Sequence, residues 1–262
     1  MDDAIRKAET LIEALSYIRR FHHRLTVIKL GGSVLEEKAA LKATLQDVVF
    51  MSTVGLRPVL VHGGGKPIDQ AMRAAGLNPR KVQGRRYTDA DTLAIVVRVL
   101  IDEINADIVR QIRELGGRAV GLHRPPLPVL FGKKWALPGP GGEPFDLGHV
   151  GEVTRVDRDL IETFCSGRVI PVIPSVALTD GDEEAWLNVN ADTAAAAVAE
   201  KLEAEKLVFL SDTPGILRDR NHENSLISHL NAAGCQDLIA KGISDSGMMP
   251  KVEACLDALR AG

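Results

Sequence analysis

Short apolar runs alternate with longer segments of helical periodicity along most of this chain. The runs at 25–30, 58–62 and 206–210 are rich in β-branched and other apolar residues, a pattern typical of buried strands. The segments at 36–54 and 89–115 have the length and periodicity of helices. The predicted fold class is therefore α/β, with an open, mostly parallel central sheet, helices on both of its faces and right-handed crossovers.

An amphipathic helix is predicted at residues 2–21, ahead of the first strand. Its apolar positions recur at helical spacing and are Ile5, Ala8, Leu11, Ile12, Leu15 and Ile18. This apolar stripe either packs on its own domain or forms an arm that docks on a second subunit. The sequence leaves both interpretations open.

Composition narrows the class of protein. The chain has 262 residues, enough for one large α/β domain or two lobes, and its formal net charge of −3 gives no nucleic-acid-binding footprint. No apolar run reaches membrane-spanning length, and the charged N-terminus does not resemble a signal peptide. Cys165, Cys235 and Cys255 are scattered and odd in number, which supports neither a disulfide framework nor a zinc site. A reduced, cytoplasmic protein is expected.

Glycine turns follow the first two predicted strands. Gly31 and Gly32 follow the first, where Ser33 is expected to cap a helix that begins near Leu35, and three glycines at 63–65 follow the second. Turns at the carboxyl ends of neighbouring parallel strands face one crevice, and their N–H groups suit an anion. Neither turn has the spacing of a Walker P-loop or of a dinucleotide-binding fingerprint.

Two ionisable residues within these strands each have two interpretations. Lys29 is either a snorkelling lysine on an edge strand or a cation held at a phosphate-binding turn, because burying a lysine without a partner is costly. His62 is either a strand-end histidine with satisfied hydrogen bonds or a general base, and the first interpretation is preferred.

A basic segment at 79–88 is predicted to be a hairpin or a mobile flap around Gly84. Its cations are either solvated or suited to grip a carboxylate, which arginine binds in a bidentate way. They are Arg80, Lys81, Arg85 and Arg86. The segment at 124–144, rich in Pro and Gly, is expected to be a long loop or a hairpin.

A polar cluster opens an alanine-rich helix that is predicted to end near residue 202. The cluster contains Asn188, Asn190 and Asp192. Capping explains one such residue but not three within five positions, so a functional role is favoured over capping alone. Further along, a turn-rich loop at 211–215 follows a buried strand, and a polar, glycine-containing loop at 242–251 leads Lys251 into a helix.

Seven segments in order resemble signatures of the amino acid kinase family, and in particular of its acetylglutamate kinase branch. They are VIKLGGS, VHGGG, QGRRYTD, LGHVGEV, WLNVNAD, LSDTPGIL and SGMMPK. The resemblance implies ATP-dependent phosphorylation of the γ-carboxylate of N-acetyl-L-glutamate, a step of arginine biosynthesis. Two alternatives are a kinase of another acylated glutamate or aminoadipate substrate, and a non-catalytic subunit that senses an amino acid or nucleotide. Retention of Lys29, Asp192 and Lys251 argues against the sensing subunit.

The resemblance also implies roles for residues of this chain. Lys29 and Lys251 would flank the transferring phosphoryl group with Asp192 between them. The implied substrate-binding residues are Gly64, Gly65, Arg86 and Asn188. The implied nucleotide- and phosphate-binding residues are Gly31, Gly32, Ser211, Asp212, Gly215, Ile216, Leu217 and Gly247. ATP would enter as its Mg²⁺ complex, with no permanent cofactor and no metal held by the protein.

The organisation that the resemblance implies has three parts. A helix at 1–24 precedes an amino-acid-binding lobe at 25–180 and a nucleotide-binding lobe at 181–262, which is expected to be shorter than in relatives. The implied partners are small-molecule substrates and further copies of the chain. These copies form a dimer, or a hexamer if the helix joins dimers. Because the last lobe is short, arginine inhibition is expected to be weak or absent.

Overall fold

The computed structural model describes residues 2–82, 84–124, 126–138, 144–180, 185–211, 215–219, 222–240, 251–252, 254–256 and 259. The strands are β1 (Leu25–Leu30), β2 (Arg57–His62), β3 (Lys81–Val82), β4 (Arg85–Arg86), β5 (Ala119–Gly121), β6 (Leu130–Pro138), β7 (Pro144–Val156), β8 (Ile170–Pro174), β9 (Val176–Thr179), β10 (Trp186–Val189) and β11 (Lys206–Leu210). The α-helices are α1 (Asp2–Phe21), α2 (Gly32–Glu36), α3 (Lys38–Thr53), α4 (Gly65–Ala74), α5 (Ala90–Val97), α6 (Ala106–Glu114), α7 (Arg158–Ser166), α8 (Ala191–Lys201) and α9 (Ala232–Ala240).

Among the described residues, the main sheet has five parallel strands in the order β11-β1-β2-β8-β5. Strand β1 therefore lies inside the sheet, hydrogen-bonded to β11 on one edge and to β2 on the other. The predicted α/β fold class is confirmed. The helix predicted at 89–115 is also present, although its middle, Arg98–Asn105, is a π-helical segment between α5 and α6.

The two faces of the main sheet carry separate apolar clusters, because side chains alternate along each strand. One face packs on α7 and α8, and its cluster includes Val27, Val59, Val61, Ile161, Ala195 and Val198. The opposite face packs on α3 and α6, and its cluster includes Ile28, Leu30, Leu60, Leu45 and Ile108. Helices thus cover both faces, as the alternation of strands and helices predicted.

A second group of strands closes into a small barrel beside the main sheet. Strands β6 and β7 form an antiparallel hairpin, β9 pairs with β6 and β10, and β10 pairs with β7. The hairpin interpretation of the segment rich in Pro and Gly is confirmed for its described residues. Closure of the barrel was not predicted, because it depends on pairings between strands that are distant in sequence.

Helix α1 projects its apolar side chains into solvent. Leu11 and Ile12 are 71% and 70% exposed, so the interpretation that the stripe packs on its own domain is wrong. Within the described residues, no helix combines the length and apolar character needed to cross a membrane.

Candidate active site

A polar crevice of about 220 Å³ lies at the carboxyl ends of β1 and β2. Both glycine turns line it, together with residues from the flap and from the start of α8. These include Lys29, Gly32, Gly64, Gly65, Arg86, Asn188 and Asp192. The prediction that the two turns share one crevice is confirmed, and the parallel pairing of β1 with β2 is the reason.

Asp192 forms ion pairs with two lysines from distant parts of the chain. Its Oδ1 lies 2.8 Å from the Nζ of Lys29, and its Oδ2 lies 3.4 Å from the Nζ of Lys251. Lys29 and Asp192 are both buried. The edge-strand interpretation of Lys29 is wrong, since β1 is hydrogen-bonded on both edges and its lysine has a buried carboxylate partner.

The three polar residues at the end of β10 and the start of α8 make three different sets of contacts. Asn190 is the N-cap, and its side-chain oxygen accepts hydrogen bonds from the backbone N–H groups of Asp192 and Thr193. Because Asn190 caps the helix, the carboxylate of Asp192 remains available to the lysines. Asn188 points elsewhere and donates a hydrogen bond to the hydroxyl of Thr88.

Arg86 is buried at the crevice wall and is held in place by α4. One guanidinium nitrogen donates to Asp69 and another donates to the carbonyl of Gly65 at 3.0 Å. Asp69 was not identified from the sequence, although its place on the helix after the second glycine turn was visible. The carboxylate fixes the guanidinium in an ion pair before any ligand arrives.

The flap is joined to the small barrel through Thr88. Its backbone N–H donates to the carbonyl of Leu147, and its carbonyl accepts from the N–H of His149. Gly148 lies between these contacts with φ of +74°, and a Cβ atom there would approach the Thr88 carbonyl oxygen to 2.2 Å. Glycine is required on both counts. Gly84, Arg85 and Arg86 of the flap and Val150 of β7 thus line the same crevice.

The first glycine turn differs in detail from the sequence prediction. Helix α2 begins at Gly32 with Gly31 as its N-cap and no side-chain cap, so Ser33 lies inside the helix and the predicted cap is wrong. A Cβ atom on Gly31 would lie 2.3 Å from the carbonyl oxygen of Leu210. The turn therefore needs glycine because β1 and β11 approach closely at their ends.

His62 is fully buried and has hydrogen-bond partners for both ring nitrogens. Burial lowers its pKa from 6.5 to about 4, so the imidazole is neutral near pH 7. These contacts agree with the preferred interpretation of a satisfied strand-end histidine.

A larger, mainly apolar cavity of about 480 Å³ lies beside β11. Lys251 lines it and, through Asp192, connects it with the polar crevice. Its wall also includes Phe209, Ser211, Ile216, Leu230, Val252 and Leu259.

A sequence profile of the amino acid kinase family matches residues 24–262. The chain belongs to this family. It is 43% identical over 261 residues to an acetylglutamate kinase from Parasynechococcus marenigrum, covering 100% of this chain and 86% of that protein. An acetylglutamate kinase from Pelotomaculum thermopropionicum is 42% identical over 98% of this chain and 88% of its own length. The resemblance stated from the sequence motifs is confirmed.

Solved structures show the same fold as this amino acid kinase. The smu.665 protein from Streptococcus mutans is 27% identical with a TM-score of 0.79, and the match covers 91% of both chains. An N-acetylglutamate synthase from Neisseria gonorrhoeae has a TM-score of 0.83 at 24% identity over 97% of this chain and 56% of its own, which shows the fold alone.

The amino acid kinase brings together most of the residues that were singled out from its sequence. The crevice collects Lys29, Asp192 and the substrate-side candidates, whereas Lys251 reaches Asp192 from the apolar cavity, which Ser211 and Ile216 also line. Leu217 forms an isolated bridge with Leu226 next to that cavity, and Gly215 adopts a φ of +142°. Asp212 and Gly247 lie outside the described residues.

Proposed function

We propose that this amino acid kinase transfers the γ-phosphoryl group of ATP to the γ-carboxylate of N-acetyl-L-glutamate, forming an acyl phosphate in arginine biosynthesis. The observation that carries the proposal is the ion pairing of Asp192 with Lys29, both buried, and with the half-buried Lys251, at the junction of a polar crevice and an apolar cavity. The names of the relatives at about 40% identity support the choice of substrate.

The chemistry needs charge neutralisation rather than a general base. A γ-carboxylate is ionised at neutral pH, so its oxygen attacks the γ-phosphorus directly while the bond to the β,γ-bridging oxygen breaks and ADP leaves. No proton moves in this step. Lys29 and Lys251 would offset the negative charge on the transferring group, and the N–H groups of Gly32 and Gly64 would donate to its oxygens.

Asp192 is proposed to orient both lysines. Two ammonium groups near one site repel each other, and a carboxylate between them offsets that repulsion while fixing each Nζ. A sensing subunit would bind an amino acid or nucleotide without this triad of Lys29, Asp192 and Lys251. The triad therefore favours catalysis.

Arg86 and Asn188 are proposed to hold the amino acid. A guanidinium has five N–H groups, so Arg86 can keep its bonds to Asp69 and Gly65 and still present donors to the substrate α-carboxylate. Asn188 and the Gly64–Gly65 backbone would hold the acylated end.

The nucleotide is proposed to occupy the apolar cavity beside β11. Its volume and apolar lining suit an adenine and ribose, and Lys251 at its edge would meet the phosphates. The contacting segments would be Ser211–Leu217 with Asp212 and Gly215, and the loop that contains Gly247. Mg²⁺ would enter with ATP, bound chiefly by the phosphates.

The lobe assignments and the assembly are part of the same proposal. Residues 25–180 would form the amino-acid lobe and 181–262 the nucleotide lobe, with 1–24 as an arm between copies of the chain. A homo-oligomer is supported by the exposed apolar side chains of α1. The cytoplasm is proposed as the location because ATP is supplied there.

A hydroxamate-trapping assay tests the activity directly, because hydroxylamine captures acyl phosphates as they form. The purified chain is incubated with MgATP, hydroxylamine and either N-acetyl-L-glutamate, L-glutamate or an N-acetylated aminoadipate. We expect hydroxamate with N-acetyl-L-glutamate and much less with the other two acids. Product from none of the acids would contradict a kinase of this class, and a preference for aminoadipate would reassign the substrate.

A further inference from the structure

His62 and Lys29 lie on opposite faces of the main sheet. His62 pairs in register with Leu30, and like Leu60 two positions earlier it faces the helices on the α3 and α6 side. Lys29 faces the other side, where Asp192 and α8 lie. The Gly63–Gly64 peptide, just after the end of β2, therefore lies between the buried His62 and the polar crevice.

Asn105, in the π-helical segment, determines which nitrogen of His62 carries the proton. Its Nδ2 lies 3.0 Å from the carbonyl oxygen of Val172, which requires a donor, so this atom is the amide NH₂ group. The same Nδ2 lies 3.0 Å from Nε2 of His62, and Nε2 must therefore accept. The proton is left on Nδ1, which donates to the carbonyl oxygen of Gly63 at 3.2 Å.

The Gly63–Gly64 peptide is planar, so the direction of the Gly63 carbonyl fixes the direction of the Gly64 N–H. In a trans peptide the carbonyl of Gly63 and the N–H of Gly64 point in opposite directions. A carbonyl held toward His62 thus directs the Gly64 N–H to the face of Lys29. Gly63 lies against the start of α8 on that face, since a Cβ atom there would be 3.1 Å from the Cβ of Ala191.

We propose that His62 and Asn105 are positioning residues that hold the Gly63–Gly64 peptide with its N–H aimed at the transferring phosphoryl group. The inference rests on the proposed function, because Gly64 acts there as a donor to that group. Neither side chain touches substrate; each acts through the backbone. The low pKa of His62, a consequence of its burial, keeps the ring neutral and its tautomer fixed through the neutral pH range.

Two substitutions of His62 separate positioning from a general structural role. In His62→Asn the side-chain amide nitrogen occupies the region of Nδ1 and keeps a donor for Gly63, whereas in His62→Gln it reaches the region of Nε2 and loses that donor. We expect His62→Gln to lower kcat by about 10- to 100-fold, as misplacement of a transition-state donor does. His62→Asn is expected to retain most of kcat. KM for ATP is expected to change little in either variant.

Equal kcat values for the two variants, or a more active His62→Gln, would overturn the inference. Thermal melting of both proteins serves as the control, since a purely structural role would lower Tm and activity in parallel for both. If the wild type itself gives no hydroxamate, the proposed function fails, and kinetics no longer bear on the positioning role.

A measurement on the unmodified protein decides the tautomer whatever the activity. Long-range ¹H–¹⁵N NMR correlations of the histidine rings distinguish a proton on Nδ1 from one on Nε2. We expect one neutral ring with its proton on Nδ1, resistant to protonation at about pH 5, and its signal absent in His62→Asn. A proton on Nε2 of His62 would overturn the inference directly.

Discussion

The side-chain amide of Asn188 donates a hydrogen bond of 3.1 Å to the hydroxyl of Thr88, which lies 100 positions earlier in the chain. The same hydroxyl donates to the backbone carbonyl of Arg86 at 2.8 Å. Asn188 and Arg86 are therefore joined through one buried hydroxyl group. The Asn188 side chain, Thr88 and the backbone that carries the Arg86 side chain thus form one hydrogen-bonded unit.

Thr88→Val tests this unit. Valine keeps the shape of threonine but removes both hydrogen bonds, leaving the half-buried amide of Asn188 and the buried carbonyl of Arg86 without this partner. We expect KM for N-acetyl-L-glutamate to rise by about tenfold and the free energy of unfolding to fall by about 1–3 kcal/mol. Steady-state kinetics and urea unfolding measure the two effects. Thr163→Val on the exposed part of α7 is the control and should change neither.

The lysines are tested by removing each one separately. Lys29→Ala and Lys251→Ala should each lower kcat about 100-fold or more, because each removes a charge aimed at the transition state. Lys133→Ala serves as the control, since its exposed ammonium pairs with Glu152 on the barrel surface. Near-normal turnover in either active-site variant would exclude that lysine from the mechanism.

Arg86→Ala is expected to act on binding of the amino acid. A carboxylate grip exists in the ground state as well as in the transition state, so KM for N-acetyl-L-glutamate should rise more than kcat falls. Asp69→Asn should raise the same KM by a smaller factor, because the guanidinium remains but loses its ion pair. Initial rates with each substrate varied in turn give both constants. A raised KM for ATP with an unchanged KM for the amino acid would mean that the flap contacts the nucleotide and not the amino acid.

The buried histidine should make stability depend on pH. Because the pKa of His62 is about 4 in the folded state and near 6.5 when unfolded, the unfolded chain binds more protons between these values. Stability contributed by the neutral ring is present above about pH 6.5 and is lost as the pH falls toward 4. Urea unfolding at about pH 7.5 and about pH 5 should differ by about 2 kcal/mol from this group. In His62→Asn the contribution of His62 to this difference in unfolding free energy should disappear. If the difference stays the same in the variant, other titrating groups cause it.

The exposed stripe of α1 predicts an assembly role. Removing residues 1–22 should convert a hexamer into dimers, if the arms pair by two-fold symmetry as closed assemblies require. Light scattering on the intact and shortened chains gives the masses. An intact protein that is already a dimer, or a shortened one that stays hexameric, would show that α1 does not join dimers.

The sequence predicted those parts of the site whose structure depends on a few neighbouring residues. The apolar run that contains Lys29, the glycine turns and the polar start of α8 were each found in the sequence, because burial period, turn chemistry and capping are encoded within a few residues. That Lys29, Asp192 and Lys251 lie together could be predicted only from the resemblance to the amino acid kinase family. No spacing in the sequence indicates that residues so far apart meet.

What the sequence did not reveal depends on tertiary contacts. Asp69 and Asn105 are ordinary helix residues until Arg86 and His62 are placed beside them. The closed barrel depends on β10 pairing with both β7 and β9, a register that no local pattern specifies. Ser33 has the chemistry of a cap, but the helix begins at Gly32, and Gly31, which lies against the end of β11, occupies the N-cap position instead.

The register of Leu30 with His62 places the ends of β1 and β2 one strand spacing apart, about 4.8 Å. The separation of the main-chain donors proposed for the phosphoryl group thus follows from the backbone ladder of β1 and β2, whereas the side chains of His62 and Asn105 set the orientation of the Gly64 N–H. The acceptor wall, by contrast, adds side chains of the flap and the barrel, Arg86 and Asn188, to the Gly64–Gly65 backbone. Substitutions in that wall can change which carboxylate is accepted while the donor spacing stays constant. The choice of acceptor and the transfer step therefore rest on different kinds of contact, the first on replaceable side chains and the second on strand pairing.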